Sequence, residues 1–331
     1  MEVGGEVVVL KFYTLGRFVL VRNGQAVPRS EWRTHRAATL CKVLLTHRGQ
    51  WLHKEQLQDW VWPEASASAA SRNLRVALSE LRRVLEPDRQ ARDESRFIEV
   101  GGDTVELRSD ELWIDSQQLV EASELDPAAP NAVLELQAAA DLYRGPYLPD
   151  DLYEDWASVE RERLALAHET VQLRLAQAHA LNAQYAPALA VCRRALTANL
   201  TSEIFAEHAM QYAAQLGDAG QALAVYQEFC AALESHLHLR PSPRLVCLAE
   251  EIRVKPREDV AVPVAPPVHQ PIVGRTIVFV EAQTVEATLQ RSRQLADDVA
   301  VALQRIRRTR SALEASAERA WIAVGQQTSR D

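Results

Sequence analysis

The 331-residue chain has few of the features that mark membrane, secreted or catalytic proteins. No apolar run approaches the roughly 20 residues needed to cross a bilayer, which argues against a membrane partner. The opening MEVGGEVVVLKF places no basic segment ahead of its apolar stretch, so it does not read as a signal peptide and the expected location is the cytoplasm. Cysteine is scarce. Cys41, Cys192, Cys230 and Cys247 stand far apart, with no C-x-x-C pair and no histidine at ligand spacing. The pattern therefore argues against zinc and a disulfide framework, and reduced, mostly buried thiols packed among apolar neighbours are expected. The G-x-x-x-x-G-K-[ST] phosphate loop, the G-x-S-x-G elbow and H-E-x-x-H are all absent. The expectation is a protein that is not an enzyme, with no catalytic residue, cofactor or metal. The acidic DDLYED run (Asp150–Asp155) reads as helix capping and solvation.

Charge is unevenly spread. Residues 1–110 hold 17 Lys+Arg against 15 Asp+Glu, residues 111–260 hold 11 against 23, and residues 261–331 hold 9 against 7. The overall −8 thus belongs to the middle of the chain. The N-terminal part carries no net repulsion from phosphate.

Hydrophobic periodicity divides the chain. Val7–Tyr13 is an apolar run rich in β-branched residues, and Arg17–Val21 leads through Asn23-Gly24, a hairpin turn signal, to Gln25–Val27. Helical spacing follows over Thr34–Arg48, Lys54–Val61, and from Ser66–Ser71 to Leu85. Phe97–Arg108 then reads as a hairpin turning at Gly101-Gly102. Strands, three helices and a hairpin make a winged helix-turn-helix. Trp51, Trp60 and Trp62, around the second helix, are expected in its core.

From Trp113 to Ile252 the pattern is helical and alanine-rich. The tetrapeptide ALAV recurs at 188–191 and 222–225, a 34-residue period, each time after a short polar break. That is the tetratricopeptide period. The expected class is mainly α, an α+β winged helix-turn-helix (residues 1–110) followed by a tetratricopeptide-like domain (111–253). Prolines mark a linker over 254–275, and 276–331 reads as a helical tail of unassigned role, either a coiled-coil or docking helix or a loose extension.

The third helix carries the chemistry. Leu74, Leu78, Leu81 and Leu85 form one apolar face. Arg72, Arg75, Ser79 and Arg82 fall on another, with Asn73 and Arg83 beside them. Guanidinium groups so spaced reach guanine edges or phosphates from the major groove, and asparagine pairs with adenine. Glu80 either accepts from cytosine or pairs with Arg83. Further contacts are expected from Arg33, His35 and Arg36 at the first helix, His53 and Lys54 at the second, and Arg96 or Arg108 at the hairpin.

Three strings, SRNLRVALSELRRVLEP (71–87), LYRGPYLPDDLYEDWASVERERL (142–164) and LHLRPSP (237–243), resemble the Streptomyces antibiotic regulatory protein type of regulator over residues 5 to about 253. That family joins a winged helix to a bacterial transcriptional activator domain. The resemblance implies sequence-specific binding of double-stranded promoter DNA by a homo-oligomer that recruits RNA polymerase. It places Arg72, Arg75, Ser79, Arg82 and Arg83 in the recognition helix and Gly101-Gly102 in a minor-groove wing. Many long relatives carry an ATPase module after a Val-Gly-Arg junction. Here PIVGR (271–275) is followed by no phosphate loop. The competing expectation is a tetratricopeptide scaffold for protein partners whose winged helix binds no DNA.

Overall fold

The computed structural model describes residues 9–90 and 93–254. Asn23 and Gly24, at φ 50° and 81°, make the tight turn between β2 (Val19–Arg22) and β3 (Gln25–Ala26). Positive φ at both turn residues matches the strand twist and explains the Asn-Gly choice. Strand β1 (Leu10–Tyr13) pairs antiparallel with β2. Three helices follow, α1 (His35–Thr46), α2 (Lys54–Val61) and α3 (Ala67–Leu85). A second sheet has the order β4-β6-β5, built from β4 (Leu52–His53), β5 (Ile98–Gly101) and β6 (Thr104–Leu107). The leucine face of α3 is buried, with Leu74, Leu78, Leu81 and Leu85 at most 4% exposed, in one core with Leu40, Leu44 and Leu57.

The expected helical run does not begin at Trp113. Residues Leu112–Ile114 form β7, which pairs parallel with β1 and completes the sheet β3-β2-β1-β7. Its alternating burial is that of a strand, over a stretch too short for periodicity to be decisive.

The remaining helices are α4 (Asp115–Ala122), α5 (Ala132–Leu142), α6 (Asp155–Leu181), α7 (Tyr185–Ala198), α8 (Glu203–Gln215), α9 (Ala219–Leu237) and α10 (Pro243–Val254). The two ALAV copies lie in α7 and α9, and Ala188, Val191, Ala222 and Val225 are buried. Small residues there let consecutive helices approach closely. The repeat extends to the backbone: Ala183 and Gly217, 34 positions apart, both take positive φ in the turns before α7 and α9.

Between the winged helix and the helices, buried polar bonds replace a loose hinge. Asp115 accepts from Thr14 N and Oγ1 (2.6 Å to the hydroxyl) and from Leu15 N. Burial pushes its carboxyl pKa up, against the pull of those donors. Lys42 of α1 meets Asp151 at 2.5 Å with both side chains 7% exposed, and Arg48 meets Glu160 at 3.2 Å. This corrects the solvation reading of DDLYED for Asp151, whose partner lies 109 residues away where no local pattern reaches. Backbones also touch here: a Cβ on Gly16, itself at φ 96°, would stand 3.0 Å from the Arg144 carbonyl carbon.

The cysteine expectation needs a correction too. Cys41 and Cys192 are buried, and burial pushes the Cys192 thiol up to about 12. Cys230 is half-buried and Cys247 is exposed on α10, because apolar neighbours in sequence occupy other faces of the helix. The linker beyond Val254 and the tail over 276–331 lie outside the described residues.

Candidate nucleic-acid interface

Helix α3 is 19 residues long, about 28 Å at 1.5 Å per residue. With its leucines inward, Arg72, Asn73, Arg75, Val76 and Ser79 are exposed together on the outer face. Arg82 and Arg83 are half-buried at its C-terminal end. The Arg83 Nη2 donates to the Glu31 carbonyl at 2.7 Å, fixing the side chain along the edge of the face. Burial, reinforced by the nearby Arg89 charge, pulls the Arg82 pKa down, while Glu86 opposes the shift. The structure therefore brings Arg72, Asn73, Arg75 and Ser79 into one free surface and holds Arg82 and Arg83 against the body.

Glu80 takes neither role expected of it. Its carboxylate is buried and accepts from Thr34 N at 2.7 Å and Thr34 Oγ1 at 3.0 Å. Thr34 is the N-cap of α1, where its hydroxyl also accepts from Ala37 N. The acid thus closes a tertiary cap between α3 and α1 and leaves no negative charge on the outer face of α3. The sequence shows Glu80 between Leu78 and Arg82 but not that α1 begins beside it.

An open groove of about 410 Å³ runs along α3, lined by Arg33, Arg75, Ser79, Arg83 and Arg89 together with Glu80 and Glu86. Both acids are committed elsewhere. Glu86 accepts from Ser95 Oγ at 2.5 Å and from Arg96 N at 2.8 Å. The guanidinium charges are therefore left to dominate the groove. Arg33 belongs to it, as the sequence suggests; Arg89 was not legible, since only the fold of the loop after Pro87 returns it to α3.

The other candidates are dispersed. Arg36 and His35 are exposed on the first turn of α1, and His53 is exposed before α2. Lys54 is half-buried; its ammonium donates to the Gly102 carbonyl and its backbone N–H to Asp103 at 2.8 Å, so it ties α2 to the hairpin tip. Gly102 has φ 57°, the left-handed turn position. Gly101 lies under Trp51, whose ring would stand 3.0 Å from an added Cβ. Arg96 is paired with Glu111 and Arg108 with Glu99. Trp60 and Trp62 pack partly buried on the core, Trp60 stacked on His47 at 4.9 Å. Trp51 departs from the core expectation, being 45% exposed, because it caps the outside of the hairpin.

A winged helix with a free cationic helix, joined through buried polar bonds to tetratricopeptide-like helices, defines a transcription regulator. Residues 30–100 match the family model "Transcriptional regulatory protein, C terminal", and residues 115–253 match "Bacterial transcriptional activator domain". Both are models of transcription regulators, not of enzymes, and they follow one another in the order that the resemblance to the Streptomyces antibiotic regulatory protein type implies. Among solved structures, Mycobacterium tuberculosis EmbR, determined in complex with a low affinity phosphopeptide, is similar with a TM-score of 0.65 and 20% identity. The match covers 75% of this chain and 66% of that one, and at this identity it speaks to the fold alone. No curated protein matches the chain significantly. Among the described residues no helix is long and apolar enough to cross a membrane.

Proposed function

We propose that the protein binds double-stranded promoter DNA at a specific sequence and activates transcription there by recruiting RNA polymerase. One observation carries this reading: the exposed face of α3 presents Arg72, Asn73, Arg75 and Ser79 with its only acid, Glu80, turned inward to Thr34. Arg72 to Arg83 spans about 16 Å along the helix, a length that fits the major groove. Arg72, Asn73, Arg75 and Ser79 reach base edges. Arg33, Arg36 and Arg83, with Arg82 behind, face phosphates. The wing contributes less charge, because Arg96 and Arg108 are paired with acids; Gly101 and Gly102 bring its backbone near the minor groove with Lys54 behind. The acidic helical domain supplies the surface for a second copy and for polymerase, and the protein works in the cytoplasm.

The test is a titration of the full chain against a duplex selected from a random pool. Affinity falls steeply as salt rises, and Arg75→Ala weakens binding by about 1–3 kcal/mol while relaxing preference at one or two base pairs. Unchanged affinity in Arg75→Ala removes that residue from the interface. Capture of protein partners with no selected duplex favours the scaffold alternative.

A further inference from the structure

The outer face of α3 breaks a local rule at one position. Val76 lies in the middle of the helix and is 62% exposed. A β-branched residue there is a poorer helix former than alanine, and its apolar surface stays in water. Elsewhere in the winged helix, exposed Val9 and Val100 lie in or beside strands, where branching is favoured, and Trp51 covers Gly101. Val76 has no such account. Departures from local preference without a folded-state benefit concentrate at functional positions.

Its surroundings narrow the ligand. Val76 follows Arg72 by four residues and precedes Ser79 by three, so all share one side of the helix. It also lines the groove that holds Arg33, Arg75 and Arg83. An apolar protein surface laid over Val76 would strip water from these guanidinium groups without pairing them. A partner that matches has anionic rims and a single exposed methyl between them. The major groove of duplex DNA has that form wherever thymine presents its C5-methyl.

We infer that Val76 reads a thymine, its isopropyl group packing on the C5-methyl while the flanking arginines take guanine edges and phosphates. This rests on α3 being the recognition helix. It adds that the bound sequence contains a thymine sensed through its methyl group, at the step facing the centre of α3.

The test uses the full chain and a duplex selected with it. Each thymine is replaced in turn by deoxyuridine, which deletes the methyl and keeps the base pair. Burial of one methyl corresponds to roughly a fourfold change in affinity. The native protein loses about that factor at one position. Val76→Ala, at an exposed helical site where alanine is the better helix former, loses the same factor on the thymine duplex and shows no further loss with uracil there. A uracil penalty of equal size in Val76→Ala at every position, or no penalty anywhere for the native chain, overturns the inference while leaving specific DNA binding intact. Failure to select any duplex overturns the reading of α3 itself, and this inference with it.

Discussion

Thr34 and Glu80 show how one residue's placement decides what a neighbouring surface can do. Free on the face of α3, Glu80 would repel phosphate and offset an arginine. Buried against Thr34, it satisfies the backbone N–H of the α1 cap residue and withdraws its charge from the outer face. Glu80→Ala leaves that N–H and hydroxyl without their acceptor, so stability falls by about 1–3 kcal/mol in chemical denaturation. The base preference of the folded variant stays the same, since the carboxylate is held by Thr34 and is not free to meet a base. A changed preference at a cytosine with stability intact would restore the base-reading role. The arginines of α3 were legible in the sequence because their spacing and the leucine stripe are both local facts. The fate of Glu80 was not, because its partner lies 46 residues away across a tertiary contact.

At the scale of elements, the strongest periodicities match the structure: the three helices of the winged domain, the hairpin and the 34-residue repeat all stand where the pattern puts them. Short elements were harder. β7 has three residues and owes its existence to β1, so the helical pattern after it hides its boundary. The repeat also exposes an unequal pair of turns. Gly217 takes φ 76° at no steric cost, whereas Ala183 takes φ 55° at the matching place and is exposed. Left-handed backbone costs an ordinary residue about 1–2 kcal/mol, partly offset by the greater unfolded freedom of glycine. Ala183→Gly therefore raises the melting temperature slightly, and Gly217→Ala lowers it by roughly 2–4 °C. Opposite signs in a thermal melt would contradict the equivalence of the two turns.

Across residues 9–254, the winged helix and the tetratricopeptide-like helices are locked rather than hinged. Lys42 and Asp151 form a buried ion pair, Arg48 and Glu160 a second, half-buried one, and Asp115 gathers donors from Thr14 and Leu15. Lys42→Met leaves the Asp151 carboxylate buried and unpaired, and stability drops by about 3–5 kcal/mol. Adding Asp151→Leu recovers much of that loss, because the buried charge is gone. A loss under about 1 kcal/mol for Lys42→Met alone means that the pair is solvated and the joint is loose. None of these bonds was visible in the sequence, where the partners sit about 100 or more residues apart. They also make the full chain the right material for binding studies. A cut after residue 110 would delete β7 and leave Thr14, Lys42 and Arg48 without their partners.

The most direct measurement is selection of duplex DNA from a random pool by the full chain and by an Arg72→Ala, Arg75→Ala double variant, with thermal melts showing both folded. The native protein enriches one motif, and the variant loses enrichment at adjacent positions of that motif while keeping weaker, salt-sensitive binding. Enrichment of the same motif to the same degree by both proteins, or of no motif by the native chain, would contradict recognition through the outer face of α3.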